Sequence, residues 1–187
     1  MVSKDRAAPG ELELIRSFVN TRDIEERSEQ LNSPAALREW LVGRGLMAPD
    51  QDAGQADLQR ALRLREALRA ALLANNDAPP DSAAVAVLDT AARNARLVAR
   101  FGADGAVLEP AAHGVDGALG RLLAVVYAAM AGGGWLRLKA CRNPDCHWIF
   151  YDATRNRCGA WCEMGLCGNR MKARSYRRRH GAMAGEP

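Results

Sequence analysis

The sequence predicts a mostly helical α+β chain: a helical amino-terminal domain with one small β-hairpin, followed by a short cysteine-rich unit that ends in a basic helix. Three observations predict it. Segments with apolar residues at helical spacing dominate the first 134 residues. One pair of β-type segments flanks an Asp-Gly dipeptide. All five cysteines fall between Cys141 and Cys167, immediately before a basic run over residues 170–180.

The elements follow in order. Residues 11–19 place Leu12, Leu14, Ile15, Phe18 and Val19 at the spacing of a short amphipathic helix that ends near Asn20-Thr21. Ser33 followed by Pro34 is an N-cap with proline at the first helical position, after which Leu37, Trp40 and Leu41 share a face until Gly43 and Gly45. Residues 55–75 form the strongest helix, with Leu58, Leu62, Leu68 and Leu72 in a stripe and arginines at 60, 63, 65 and 69 around it. Asn75, Asn76 and Pro79-Pro80 end it. Asp81 or Ser82 caps a further helix through Ala92. Residues 96–101 and 106–109 read as strands joined by Ala103-Asp104-Gly105. Residues 115–130 give a very apolar central helix, broken by Gly132-Gly133-Gly134, where the domain boundary is expected, separating residues 1–134 from 135–187. Residues 135–140 and 147–151 then read as strands on either side of a tight turn, and helix is expected again from Ala160 onward.

Composition narrows the function classes. With 48% hydrophobic but only 5% aromatic residues, the core must rest on Ala, Leu and Val. The first residues carry charges every few positions, and no uninterrupted apolar run approaches the roughly 18–20 residues of a membrane span. The expectation is a soluble cytoplasmic protein without a membrane partner. The net charge of +4 hides an asymmetry: residues 1–136 hold 15 Lys and Arg against 18 Asp and Glu, whereas residues 137–187 hold 11 against 4. A mildly acidic body with a strongly basic tail is the layout of a chain in which one segment meets a polyanion and the other does something else.

The cysteines run C-x4-C-x11-C-x3-C-x4-C. An odd number in a reducing compartment argues against a disulfide framework, and paired spacings point to a metal. Asn143-Pro144-Asp145 supplies turn chemistry that brings Cys141 and Cys146 together, as a zinc knuckle requires. His147, the rival of this pair, is expected to aim at the opposite face. For the second pair, Cys158/Cys162 competes with Cys162/Cys167, and the repeated x4 spacing favours Cys162/Cys167, which leaves Cys158 a free thiol beside the site. Four thiolates close a structural Zn2+ site and leave no position for a catalytic water. The fold expected here is a treble-clef-like or ribbon-like zinc finger, with zinc supplying on the order of 10 kcal/mol of its folding free energy.

Cys141-x4-Cys146, the strand Trp148-Ile149-Phe150 with Asp152, Arg155-Asn156, and Trp161-Cys162-x4-Cys167 followed by Gly168-Asn169-Arg170 together resemble the CGNR zinc finger, over residues 135–180. The resemblance implies Cys141, Cys146, Cys162 and Cys167 as zinc ligands. Where the family commonly has a basic residue, this chain has Cys158. It further implies an amino-terminal ABATE domain of a stress-induced transcription regulator. In the body, Phe18-Val19-Asn20-Thr21 is similar to that domain's opening signature, Leu37 and Trp40 to its next helix, and Leu64-Arg65-Glu66-Ala67-Leu68 to its arginine-bearing long helix.

In this reading Gly168 lets the chain turn, Asn169 caps a helix, and the helix presents Arg170, Lys172, Arg174, Arg177, Arg178 and Arg179 to nucleic acid. Trp161 and Tyr176 are expected to pack on the finger. DNA is the expected partner, with RNA or an acidic protein as alternatives, the last as a scaffold module. The body is expected to sense an effector or to form a homodimer, and Asn20, Arg65 and Arg69 are its candidate ligand-pocket residues. Cys158 adds the option of a thiol redox sensor. No enzyme is expected, since His113 and His180 are isolated and Gly132–Gly134 follows a helix instead of a strand.

Overall fold

The computed structural model describes residues 7–103 and 105–183, without the side chains of 181–183. Among the described residues the body comprises α1 (Leu12–Val19), β1 (Arg22–Asp23), β2 (Ser28–Glu29), α2 (Pro34–Gly43), α3 (Gln55–Ala74), α4 (Ser82–Ala95), β3 (Leu97–Gly102), β4 (Gly105–Pro110) and α5 (Gly114–Ala131). A carboxy-terminal unit follows, with β5 (Leu138–Ala140), β6 (Ile149–Tyr151) and α6 (Asn169–Met183). The strands pair as three separate antiparallel ribbons, β1–β2, β3–β4 and β5–β6. Asp104, expected in the hairpin turn, lies outside the described residues, as does Met1 through Arg6.

Local chemistry sets the helix starts. The Ser33 hydroxyl accepts from the Ala36 amide at 3.1 Å, with Pro34 in the first turn, and the Asp81 carboxylate accepts from Ala83 and Ala84. Asp57 reaches back to the Gly54 amide at 2.7 Å and holds the start of α3. The core gathers Ile15, Phe18, Leu37, Leu41, Leu64, Leu68, Leu72 and Leu122 from α1, α2, α3 and α5, each side chain worth about 1.5–3 kcal/mol of transfer free energy. Gly120 lets α5 close onto the β3–β4 ribbon, because a Cβ there would stand 2.6 Å from the Ala95 Cβ and 2.8 Å from the Pro110 Cβ. By length and composition α5 could cross a bilayer, yet half of it is buried, as in the core helix of a soluble fold, and it does not mark a membrane protein.

Three local expectations change. Residues 135–137 form a single 3₁₀ turn that tucks Trp135 into the core, so the first strand shrinks to β5. His147 adopts φ 48°, outside the strand region, and β6 begins only at Ile149. Helix begins at a π-helical turn, Met164–Gly168, and not at Ala160. The β1–β2 ribbon was not anticipated: two residues per strand are too few to show an alternating pattern.

Side chains of the body fasten the carboxy-terminal unit by bonding its backbone. Asn20 both accepts from the Ile149 amide, at 2.8 Å, and donates to the Ile149 carbonyl, at 2.9 Å, so its carboxamide pairs with β6 as a neighbouring strand would. At the end of α3, Asn75 donates to the Trp135 and Leu138 carbonyls, and Asn76 to those of Ala140 and Ala160. Arg142 returns the contact, donating to the Asn76 carbonyl at 2.9 Å. The hydrophobic core runs on across this seam through Trp135, Leu138, Ala140 and Ile149. Replacing Asn20 by Ala strands a buried donor and a buried acceptor, and is expected to cost about 2–4 kcal/mol of stability. Urea unfolding checks this, through a lower midpoint at an unchanged slope.

Candidate metal centre and its basic helix

The β5–β6 ribbon is a knuckle. Its register pairs Leu138 with Tyr151, Lys139 with Phe150 and Ala140 with Ile149, which sets Cys141 just beyond one strand and Cys146 on the return of the turn. Asn143 builds that turn: its carbonyl accepts from the Cys146 and His147 amides, and its side-chain oxygen accepts from the Asp145 amide at 3.2 Å. Its side-chain nitrogen lies 3.5 Å from the Cys167 sulfur, so one buried residue shapes the first pair and touches the second. Cys162 and Cys167 come from the segment below, Cys167 within the π-helical turn.

The structure brings together Cys141, Cys146, Cys162 and Cys167, all buried, with their sulfurs within 4.8 Å of one another. Cys146 and Cys162 lie 3.7 Å apart, and Cys162 and Cys167 3.8 Å. Both separations are far beyond a disulfide, and both match the edge of about 3.8 Å of a tetrahedron with zinc–sulfur bonds of about 2.3 Å. The donor set therefore fits Zn2+. Hydrogen bonds from Cys146 and Cys162 pull the Cys141 thiol down to about 4, and the contact with Cys141 pushes both Cys146 and Cys162 up. That opposition is what thiols crowded together show without a cation, and a dication relieves it. Backbone amides of Cys162 and Asn143 point at the Cys141 sulfur and that of Trp148 at Cys146, the outer hydrogen bonds a thiolate site uses. Phe150, Trp148 and Trp161 pack around the sulfurs. Cys158 is exposed and outside the group, its sulfur 3.9 Å from the Thr154 hydroxyl.

A buried ion pair shapes the loop that delivers Cys162. Lys139 meets Asp152 at 2.9 Å and also donates to the Arg157 and Gly159 carbonyls. Burial alone would raise the Asp152 carboxyl, but hydrogen bonds from Thr154, Lys139 and the Gly159 amide outweigh it and hold the group below its ordinary range. Asn143 stands in the turn where the sequence places it, whereas nothing in the sequence singles out Lys139, Asn75 or Asn76 as part of the site. The position of Asn75-Asn76 directly at the end of the longest helix was the available signal.

Gly168 has no positive φ. It is needed for space: a Cβ there would come within 2.4 Å of the Met164 sulfur and 3.2 Å of the Trp161 ring. Asn169 stands within the first turn of α6, donating back to the Gly165 carbonyl, instead of capping it. Arg170, Lys172, Arg174, Arg177, Arg178 and Arg179 are all exposed along α6. Arg170, Arg174 and Arg177 share one face, whereas Lys172 and Arg179 border Trp161 on the other. Arg170 pairs with Glu25, and Arg174 with Asp145 at 3.1 Å. Trp161 packs on the cysteine group as expected, but Tyr176 does not: it is exposed and stacks on His180, because α6 has left the finger by that point.

Asn20, Arg65 and Arg69 are buried, and their polar atoms bond partners inside the protein. Arg65 holds Glu29 with two parallel bonds of 2.7 Å and also meets Thr21 and Glu66. Burial would raise the Glu29 carboxyl, but hydrogen bonds from Arg65 and the Leu31 amide, with the nearby Arg65 and Arg22 charges, hold it below its ordinary value. Arg69 donates to the carbonyls of Val19 and His147, and so ties α3 to the end of α1 and to the knuckle. A buried guanidinium must find acceptors, and here the body and knuckle backbones supply them.

Residues 12–134 match the family model described as "ABATE: Putative stress-induced transcription regulator". The chain belongs to the ABATE family. Residues 137–180 match the CGNR zinc finger, in the same order along the chain that the sequence motifs implied. Among curated proteins none matches. The ABATE body thus precedes a CGNR finger whose four cysteines form one structural Zn2+ site. Neither family is enzymatic in kind. Elemental analysis of the reduced protein is expected to find about one zinc per chain, retained in Cys158→Ser and lost in Cys162→Ser, since three thiolates leave the closed site open.

Proposed function

We propose that this ABATE protein is a cytoplasmic, zinc-dependent transcription regulator that binds DNA through α6. The observation that carries the reading is the state of that helix. Its six cationic side chains all stand in solvent, and Lys172, Arg177, Arg178 and Arg179 carry no ion pair among the described residues. A helix that is polar all round gains nothing from core burial, so its charge needs another purpose. A helix about 10–12 Å across suits the major groove, where arginine pairs with guanine edges and the flanking charges meet phosphates.

The regulatory half rests on the family match, with the divide between body and finger placed at Gly132–Gly134. An open cleft of about 900 Å³ between α5, β4 and the turn at Arg44–Leu46 offers room for an effector. Phe101 and Val107, exposed on the β3–β4 ribbon, offer a surface for a second copy of the chain.

Fluorescence anisotropy with duplex DNA tests the reading. Five phosphate contacts would give log K a slope of about −4.5 against log salt, and replacing Arg177, Arg178 and Arg179 by Ala should flatten it by about 2.7. Genome-wide selection of fragments by the zinc-loaded protein should enrich one sequence, and Cys162→Ser should abolish the enrichment. Equal competition by heparin, RNA and DNA would point instead to a general acidic partner.

A further inference from the structure

We infer that the ABATE body itself contributes to the nucleic-acid surface: the β1–β2 turn forms the second wall of a cleft that takes one sugar-phosphate strand, with Arg27 as a phosphate contact. This rests on the reading of α6 as a DNA-binding helix and adds a residue outside the finger. The cleft has a volume of about 600 Å³, and Ile24, Glu25 and Arg27 of the turn face Arg170, Arg174 and Arg177 of α6 across it.

Four guanidiniums and two carboxylates line this cleft, a positive balance. Both carboxylates are engaged: Glu25 holds Arg170, and Asp145 holds Arg174. They stand beside the guanidiniums as phosphate oxygens would, and exposed ion pairs of this kind exchange readily for a better anion. Arg27 and Arg177 remain, exposed and without an ion pair among the described residues.

The turn is built to hold the Arg27 backbone in place. The Asp23 carboxylate accepts from the Glu25 and Glu26 amides, the Gln30 amide bonds the Thr21 carbonyl, and Glu29 at the base is gripped by buried Arg65. Arg27 sits at φ 54°, a conformation that Gly or Asn adopts more cheaply. A long cation at such a position, on a turn fixed by internal bonds, adds little backbone ordering to the cost of a phosphate contact. With α6 in the major groove, the turn beside it lies against the adjoining backbone strand.

The test compares full-length, zinc-loaded variants on a short labelled duplex of unselected sequence over a KCl series. Arg27→Asn, which suits the left-handed backbone, should reduce the salt slope by about 0.9 and weaken binding roughly three- to tenfold near 0.1 M salt, equally across sequences. Arg27→Gly should match it, and Arg27→Lys should retain the slope. Arg63→Asn, on the α4-facing side of α3, removes the same charge and should leave the slope unchanged. If Arg27→Asn behaves as Arg63→Asn does while the triple arginine variant of α6 loses slope, the body is not in contact and only the α6 reading survives. If the wild-type protein shows no salt-dependent binding to the duplex, both fall.

Discussion

Four sulfurs held within 4.8 Å of one another are the constraint on which the carboxy-terminal third depends. Thiolates about 4 Å apart repel by about 4 kcal/mol per pair at an effective dielectric near 20, so the arrangement is stable as an anionic set only around a cation. The sulfurs come from two stretches that no continuous sheet joins: the knuckle at Cys141 and Cys146, and the segment carrying Cys162 and Cys167. Holding them together fixes where Cys167 stands, and α6 begins two residues later. Among the described residues α6 meets the body and the knuckle turn through exposed ion pairs at Arg170 and Arg174, and its root is the π-helical turn that carries Cys167, so its direction is inherited from the cysteine group.

The same unit is tied to the body by bonds that end next to the ligands. Asn76 bonds the carbonyl of Ala140, the residue before Cys141, and Arg69 bonds the carbonyl of His147, the residue after Cys146. Arg69 reaches from α3 and Asn76 from just past its end, and the same helix anchors the β1–β2 turn through Arg65. A shift of α3 therefore acts on the backbone that aims the thiols and on the wall that faces α6. Any coupling along this path is reciprocal: the free energy by which binding at one end alters binding at the other is matched in the opposite direction.

The helices and their caps were legible because each is written in a few contiguous residues: Ser33-Pro34, Asp81 and the leucine stripe of α3 act locally. The cysteine spacing was legible for the same reason, since a knuckle closes over four residues. The clamps were not. Nothing near Asn20 indicates Ile149 as its partner, 129 positions away, and an asparagine after a helix reads as a terminator until the fold sets a strand edge beside it. Arg65 and Arg69 stand out in the sequence as candidate ligand groups because a pocket in an alanine- and leucine-rich domain needs polar side chains, and only the fold reveals Glu29, Val19 and His147 as the acceptors they meet. Gly168 was assigned to a turn because sequence reveals the missing side chain but not the Met164 sulfur occupying its place.

The basic helix has an energetic problem that its root resolves. Arg170 and Arg174, and Arg174 and Arg178, stand four residues apart and repel, and a cation in the first turn opposes the helix dipole. An isolated segment of this length and charge would pay the full cost of nucleation and remain largely unwound. Here the turn at Met164–Gly168 is already closed by the cysteine group, so α6 only has to propagate. Glu25 and Asp145 compensate two of the arginines near its start, where the dipole is least favourable to them. Lys172 and, farther along, Arg177, Arg178 and Arg179 have no ion pair among the described residues, so an anion that neutralises them adds to the stability of the helix as it binds.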